Sequence, residues 1–410
     1  MTQPTPVFER PDGPAPSPAR VLADLGPTYA VNGLVGFIFS ATGPVAIVLA
    51  TGAGGGLGQA ELASWLFGSF FLNGLLTLWL TWRWRTPLVF FWTIPGTVLV
   101  GPALAHASHA QVIGAFLVTG ALIAAVGASG WARRGMAAVP MPIVMAMVAG
   151  VFLRFGLDLV RAVHDDAWIA APMVVAFLVL SAWARAGRWV PPIVGALLAG
   201  LIAIMAAGGV AWPAQADFSI APPRLYAPEF SLPVLLELVV PLAITVLVVQ
   251  NGQGFGVLQA AGHVPPVNVV TVACGLMSLV TAFVGTVSTC LTGPTNALVS
   301  SSGERSRHYT GALVVGVLAL AFGLTSPTFT ALLLAAPKAF VAALAGLAML
   351  KVLQGAFATA FSGRVPLGAL VTFLVTVADR PILNVGAPFW GLVVGIAVSV
   401  LLERDDLRRR

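Results

Sequence analysis

Charged residues are scarce in this chain, and their scarcity argues against a soluble protein. Only 9% of the 410 residues are Asp, Glu, Lys or Arg, whereas 58% are hydrophobic. A soluble domain of this size cannot hide so much apolar surface from water. The sequence therefore predicts an integral membrane protein in a lipid bilayer. The formal net charge of +6 reflects the basic bias of cytoplasmic loops more than binding of nucleic acid.

Cysteine is nearly absent, and so are the motifs of soluble enzymes. Cys274 and Cys290 are the two cysteines, and both stand in apolar surroundings, which argues against a disulfide framework or a metal site. The sequence has no P-loop, no HExxH and no His/Cys cluster with metal spacing. We therefore expect no enzyme activity, no metal and no cofactor. Residues 1–27 are Pro-rich and lack the apolar run of a secretory signal, so they predict a disordered or interfacial cytoplasmic tail.

Long apolar segments predict fourteen membrane spans, because about 20 apolar residues are needed to cross a bilayer. The segments are 28–50, 60–82, 89–107, 109–131, 139–157, 167–184, 190–210, 231–250, 267–284, 286–302, 308–325, 337–357, 366–378 and 385–402. A polar external linker, 211–230, separates the first seven from the last seven. Twelve spans remain an alternative, since several segments are short or interrupted by Gly and Pro.

The basic residues predict the orientation of the chain. With the N-terminus in the cytoplasm, fifteen Arg residues lie in inner loops and tails, and only Arg161, Arg224 and Arg380 lie in outer loops. This bias follows the positive-inside rule and predicts that both termini are cytoplasmic. The inner loops include 133–134 and 185–188. Twelve spans would also put both termini inside, so only the loop-by-loop pattern favours fourteen.

Four short segments recur in order at a nearly constant offset. The segment PVAIV at 44–48 matches PLAIT at 241–245, and PGTVLV at 95–100 matches PTNALV at 294–299. Two further matches pair 149–150 with 345–346 and 192–195 with 388–391. Seven spans is an odd number, so the second copy would enter the membrane from the opposite side. The predicted fold is an all-α polytopic membrane protein with inverted repeats at 28–210 and 231–402.

Spans 3 and 10 are predicted to hold the binding site, because both are interrupted at equivalent positions. An extended piece precedes Pro95-Gly96 in span 3 and Gly293-Pro294 in span 10, and each Pro suits the first turn of a half-helix. Two helix N-termini near the midplane would bind an anion without any basic side chain. Alternatively, the two prolines only kink ordinary helices.

Polar side chains in spans 1, 3, 8 and 10 are the candidate substrate ligands. They are Ser40, Thr42, Thr93, Gly96, Thr97, Gln250, Asn251, Thr292, Gly293, Thr295 and Asn296. Span 8 also carries Glu237, which is the candidate proton carrier or else a boundary residue. The amides of span 8 could instead cap its helix. Ser40 and Thr42 could instead join helices. Arg154 and Asp158 are spaced for an i,i+4 ion pair.

With these residues considered, the chain resembles the benzoate transporter family of the BenE type from about residue 26 to its end. The resemblance rests on NGLVGFIFSATGP (32–44), FWTIPG (91–96), SGWARR (129–134), MVAGVFLRFGL (147–157), VVQNGQGFGVLQAAGHVPP (248–266) and FWGLVVG (389–395). It implies the fold of nucleobase and sulfate transporters, with a core domain (28–135 and 231–325) and a gate domain (136–210 and 326–402). It also implies proton-coupled import of benzoate or a similar aromatic acid across a bacterial inner membrane, and by analogy a homodimer.

The sequence departs from the nucleobase relatives, which usually carry carboxylates late in helix 8 and in helix 10. Gln250-Asn251 and the segment 292–296 stand there instead. Loss of carboxylates suits an anionic substrate, which a nearby Glu would repel. Phe37 and Trp92, with Phe39 and Phe91, are the candidate contacts for an aromatic ring. A nucleobase carrier, an inorganic anion carrier and an anion channel remain alternatives.

Overall fold

The computed structural model describes most of the chain as a helical bundle. It covers residues 8–11, 13–132, 140–183, 190–208, 220, 224–380, 382, 387–404 and 406. Most of the predicted linker and the basic loop positions 133–134 and 185–188 lie outside these residues. Within them, seven helices are long and apolar enough to cross a membrane, and six apolar helices are shorter.

The first half of the chain contains ten helices and one short strand within the described residues. They are α1 (Pro18–Asp24), α2 (Pro27–Ala41), α3 (Gly43–Gly54), α4 (Gln59–Phe67), α5 (Asn73–Trp84), β1 (Phe90–Trp92), α6 (Ile94–Leu104), α7 (His109–Ala128), α8 (Met141–Asp165), α9 (Ala167–Ala182) and α10 (Pro192–Ala206). A π-helical turn, Gly68–Leu72, joins α4 to α5.

The second half, again within the described residues, contains nine helices and one strand. They are α11 (Leu232–Ile244), α12 (Asn251–Ala260), α13 (Val267–Ala282), β2 (Thr289–Leu291), α14 (Gly293–Val299), α15 (His308–Leu324), α16 (Ser326–Ala335), α17 (Lys338–Phe361), α18 (Pro366–Ala378) and α19 (Ala387–Leu402). A second π-helical turn, Thr245–Gln250, joins α11 to α12. A 3-10 turn, Arg305–Arg307, precedes α15.

Three of the boundaries expected from the sequence needed correction. Residues 158–165, expected to be a loop, continue α8 to Asp165, and the eighth segment runs on through α12 to Ala260. Residues 326–335 form α16, where the sequence predicted a connection. Packing keeps these added turns helical, although charge, the Gly-rich run at 252–256 and proline in the sequence suggested ends.

The helices pack as two groups. Group 1 contains α2 to α7 and α11 to α16, with close pairs between α7 and α13, α2 and α15, and α4 and α16. Group 2 contains α8 to α10 and α17 to α19, in which α8 packs along α17 and α18. The groups meet where α3 contacts α17. A Cβ on Gly43 would overlap the Cβ of Ala348 there, so only glycine lets the two helices approach this closely.

The described part of the N-terminal segment docks on the bundle, where the sequence predicted a disordered or interfacial tail. The Glu9 carboxylate accepts hydrogen bonds from the N–H groups of Asn268 and Val269 (3.1 and 3.2 Å) at the start of α13. The Tyr309 hydroxyl donates to the buried Asp24 carboxylate at 2.8 Å. We call this face of the bundle the N-terminal side. The opposite face is the linker side, where Arg224 lies 3.7 Å from Glu61.

Candidate functional site

The two interrupted segments meet at a short antiparallel ladder, which we call the crossing (residues 89–96 and 288–296). Strand β1 pairs with β2 in the register Phe90↔Leu291, Phe91↔Cys290 and Trp92↔Thr289. The Thr93 N–H donates to Ser288 O at 3.0 Å, and the Thr292 N–H donates to Val89 O at 3.1 Å. Each strand then leads directly into a helix, α6 or α14. The expected order of extended piece, break and half-helix is therefore present in both segments.

Side chains from neighbouring helices satisfy the outer edges of this two-stranded ladder. Thr77 Oγ1 accepts the Phe90 N–H at 2.9 Å and donates to Phe90 O at 3.3 Å. On the other edge, Ser278 Oγ accepts the Thr289 N–H at 2.9 Å. A buried backbone group needs a partner, and inside a membrane water does not supply one. These hydroxyls supply hydrogen bonds that a third and a fourth strand would otherwise make.

Two asparagines fix the crossing to the surrounding helices. Asn296 is fully buried; its Oδ1 accepts the Val89 N–H at 3.0 Å, and its Nδ2 donates to Val89 O at 3.1 Å and to Thr292 O at 2.7 Å. Asn251 is also fully buried, and its Oδ1 accepts the Leu291 N–H at 2.8 Å. Both side chains were candidate substrate ligands. The structure has both amides hydrogen-bonded to the strands, and neither lines the cavity described below.

The two half-helices differ at their N-termini. Thr93 caps α6, because its Oγ1 accepts the Gly96 N–H at 3.1 Å. Pro95 has no N–H, and the Thr97 N–H bonds to Thr93 O at 2.9 Å. Helix α14 has no such side-chain cap. The expectation of two open helix ends is therefore wrong for α6, and α14 has the more open end.

A cavity of about 1150 Å³ extends from the crossing to the N-terminal side. Ile94 and Pro95 of α6 and Pro294 of α14 line its inner end. Met141, at the start of α8, and Pro191, just before α10, line its opening. Its walls come from both helix groups, so any relative motion of the groups changes its shape.

Most of the cavity wall is apolar, and three aromatic rings lie on it: Phe39, Phe152 and Phe177. The polar exceptions near the crossing are Gln250 and Gln253. Within the described part of the chain, neither amide has a hydrogen-bond partner. Since residues 250 and 253 are three apart on a helix, they share one face, while Asn251 points to β2.

Gln253 reaches the open end of α14. A Cβ on Gly293 would lie 2.6 Å from Gln253 Cδ, so a larger residue at 293 would displace the amide. The two glutamine amides, with the first turn of α14 behind Gln253, form a neutral donor set at the inner end of the cavity. Such a set is suited to an anion whose remaining surface is apolar.

Of the thirteen predicted substrate ligands, Gln250 alone is among the described residues that line the cavity. Thr292, Gly293 and Thr295 are not among the described lining residues, although their neighbour Pro294 is. The hydroxyls of Ser40, Thr42 and Thr97 bond back to carbonyls of their own helices at 2.9 to 3.0 Å. Ser40 Oγ also lies 2.8 Å from Thr295 Oγ1. Ser40 therefore joins α2 to α14, as the alternative for it had suggested, whereas the hydroxyls of Thr42 and Thr97 bond within their own helices.

Phe37 and Trp92 are not ring contacts of the cavity, and this part of the prediction is corrected. Both pack into an aromatic cluster around Phe70, with ring centroids 6.3 and 5.2 Å from it. Residues 37 and 39 are two positions apart on α2 and therefore point in different directions. Phe39 faces the cavity, and Phe37 faces the interior of group 1.

The charged candidates are also placed differently from expectation. Glu237 is buried in α11, with its Oε2 2.9 Å from His106 Nε2. It lies thirteen residues before Gln250, which is about 20 Å along a helix. Asp158 pairs with Arg161 at 2.9 Å, and the i,i+4 pair with Arg154 is absent from the ion pairs of the described residues.

Sequence reasoning missed Gln253 and Lys351, and both line the cavity. Gln253 was detectable, because it stands three residues after Gln250 in the run QNGQG. Lys351 was noticed as a cation within a span, but the sequence does not show which way α17 faces.

Comparison with known proteins gives one family and one fold. A family model described as BenE, benzoate membrane transport protein, matches residues 23–401. The inner membrane protein YdcO of Escherichia coli (strain K12) is 29% identical over 393 residues, or 95% of this chain and 99% of that protein. The benzoate membrane transport protein of Acinetobacter baylyi is 28% identical over 382 residues, which cover 91% of this chain and 95% of that protein.

Solved structures show a similar fold at low sequence identity. The transmembrane domain of the cyanobacterial bicarbonate transporter BicA matches with a TM-score of 0.60 at 15% identity, covering 93% of this chain and 99% of that chain. SLC26A9 matches with a TM-score of 0.63 at 15% identity, and the match covers 93% of this chain and 66% of that chain. The polytopic helical architecture is therefore one that membrane transporters use.

Proposed function

Because this chain belongs to the BenE family of benzoate membrane transport proteins, and is a membrane transporter and not an enzyme, we propose that it imports benzoate or a similar aromatic carboxylate. The mechanism would be secondary active transport by alternating access. The observation that carries the proposal is the chemistry of the cavity. Its walls are apolar and aromatic, and its inner end presents two uncommitted amides beside an open helix N-terminus.

The substrate would lie with its carboxylate toward the crossing. Gln250 and Gln253 would donate to the carboxylate oxygens, with the positive end of α14 behind them. The ring would lie against Phe39, Phe152 and Phe177, where burial of apolar surface adds affinity. No carboxylate side chain is among the described residues of the lining, so nothing there repels an anion.

Group 1 would be the core domain that carries the substrate, and group 2 the gate. The packing supports this division, and we propose that α16 belongs to the core, although the sequence-based division put residues 326–335 in the gate, because α16 contacts α4. With the positive-inside rule, the N-terminal side is the cytoplasm. The cavity would then face inward, and both termini would lie inside a bacterial inner membrane. The repeated motifs support fourteen crossings in two inverted repeats, and a homodimer through the gate remains a proposal by analogy.

Glu237 and His106 form the proposed proton-coupling pair. Glu237 is buried and close to a histidine that can share a proton with it. Its distance from the glutamines means that it would act on the conformational change and not on the carboxylate directly. The proton would enter from the linker side and leave with the transition to the inward state.

Uptake of labelled benzoate into proteoliposomes, with and without an inward proton gradient, tests the proposal. We expect saturable uptake, stimulated by the gradient and inhibited by other aromatic acids. Liposomes without protein and protein with both glutamines changed to Ala are the controls. Absence of uptake and of competition would refute an aromatic carboxylate as the substrate.

An inorganic anion is the second candidate, because the fold matches that of a bicarbonate transporter. Bicarbonate or chloride would then compete with benzoate, or be carried in its place. A saturating flux of benzoate that excess bicarbonate and chloride leave unchanged excludes this alternative. Currents at channel rates without saturation would instead indicate an anion channel.

A further inference from the structure

Two helices of group 2 carry a cation at the same position. Arg154 is the thirteenth residue after the start of α8 at Met141, and Lys351 is the thirteenth after the start of α17 at Lys338. The helices have 25 and 24 residues, so each cation is about 20 Å from its helix start and near the middle of its helix. A cation at this depth in a membrane is costly and generally indicates a function.

Lys351 lies on the wall of the cavity. Leu347, Ala348, Lys351, Val352 and Gly355 line it together, which is the spacing of one helix face. Among the described lining residues, Lys351 is the only charged side chain. It therefore faces the same space as Gln250 and Gln253.

Arg154 lies on a different opening. A crevice of about 140 Å³ is lined by Arg154 and Gly150 of α8, by Val98 and Pro102 of α6, and by Asp379 after α18. The first turn of α6 lines the cavity, and its later turns line this crevice. Since α6 runs from the crossing toward the linker side, the crevice lies between the helix groups on the linker side.

An ion pair within the protein does not account for either cation. Among the described residues, neither Arg154 nor Lys351 forms one, and Asp158 is engaged by Arg161. Each cation is also substantially exposed, although it lies near the middle of its helix. A mobile anion in the adjoining space would satisfy each charge.

We propose that Lys351 and Arg154 are anchor cations for the carboxylate, each acting from one side of the membrane. Lys351 binds the anion while the cavity is open on the N-terminal side. Arg154 binds it when group 2 moves and the crevice widens on the linker side. The inference rests on the proposed function, since it requires an anionic substrate, and it names the residues that give the two faces their affinity.

The test measures the half-saturating concentration of benzoate separately at each face, in right-side-out and inverted vesicles. Lys351→Gln is expected to raise it roughly tenfold or more at the N-terminal face, through loss of one charge-assisted contact, and to leave the linker face within about twofold. Arg154→Gln is expected to do the reverse. Lys351→Arg and Arg154→Lys should keep most of the affinity, because they keep the charge.

Lys338→Gln is the matched control, because Lys338 and Lys351 are the only lysines of the chain and Lys338 lies at the helix start outside the cavity lining. A neutral isostere, benzamide, is the ligand control. Its binding to purified protein should not change in Lys351→Gln, whereas benzoate binding should weaken.

The outcomes separate the two proposals. If the wild type carries no aromatic carboxylate, the proposed function fails and this inference fails with it. Two results would refute the anchor cations while the proposed function stands, provided that the wild type carries benzoate. In the first, Lys351→Gln changes the half-saturating benzoate concentration equally at both faces. In the second, Lys351→Gln weakens the binding of benzamide as much as that of benzoate. Preserved melting temperatures exclude misfolding as the cause of a loss.

Discussion

Asn296→Ala tests whether this side chain supports the crossing or binds substrate. The substitution removes an acceptor for the Val89 N–H at 3.0 Å and donors to the Val89 and Thr292 carbonyls at 3.1 and 2.7 Å. The two carbonyls keep other partners, Thr292 N–H and Asn296 N–H. The Val89 N–H loses its partner in a site that water does not reach.

The expected loss of stability follows from these contacts. An orphaned buried donor costs about 1–3 kcal/mol, and two lost hydrogen bonds add about 0.5–1.5 kcal/mol each. The total of roughly 2–6 kcal/mol corresponds to a fall in melting temperature of roughly 2–7 °C for a chain of this length. Transport should fall as well, because β1 and the start of α14 lose their fixed relative position.

Thermal unfolding of purified protein in detergent measures the melting temperature, and benzoate binding is measured on the same samples. Gln250→Ala is the matched control, since its amide faces the cavity without a protein partner. Asn296→Asp keeps the acceptor for Val89 but turns a buried carboxylate oxygen toward the Val89 and Thr292 carbonyls, so it should also lower the melting temperature. An Asn296→Ala protein that melts like the wild type, yet binds benzoate more weakly, would show that Asn296 contacts substrate and that the reasoning is wrong.

Three further predictions follow from other parts of the molecule. Gln250→Ala and Gln253→Ala should each weaken benzoate binding roughly 10- to 100-fold with an unchanged melting temperature; unchanged affinity in isothermal titration would contradict the glutamine site. Glu237→Gln should abolish the stimulation of uptake by a proton gradient while exchange of internal for external benzoate continues; full stimulation in the variant would exclude Glu237 as the proton carrier. Burial lowers the pKa of His263, in the loop after α12, to about 4, and the nearby His308 and Arg305 add to this lowering. His263 therefore binds a proton near pH 6.5 in the unfolded chain but only near pH 4 in the folded protein. Stability from this group is therefore complete above pH 6.5 and lost as the pH falls toward 4; a melting temperature with the same pH profile in His263→Gln as in the wild type would refute the assignment.

Features that depend on neighbouring residues could be predicted from the sequence. The interruptions at Pro95 and Pro294 could be predicted from the sequence, because β-branched and aromatic residues followed by Pro and Gly do not continue a helix. The structure has strand and helix at both places. Glu237 was noticed because ionisable residues are few inside the apolar segments.

Other expectations failed because they depended on partners far along the chain. Asn251 and Gln250 are neighbours, yet one supports β2 and the other faces the cavity. The capping of α6 depends on the rotamer of Thr93, which the sequence does not specify. The docked N-terminal segment depends on Asn268, Val269 and Tyr309, more than 250 residues away from their partners.

The amino-acid sequence by itself determined that this protein lies in a membrane, that its chain is interrupted at two equivalent points, and that it belongs with benzoate transporters. These properties follow from composition, short-range backbone preference and contiguous segments of sequence. Only the tertiary structure decided which polar groups are available to a ligand. Availability depends on whether another helix already satisfies a group, and that is why Asn296 became a support while Gln253 and Lys351 became candidates for the site.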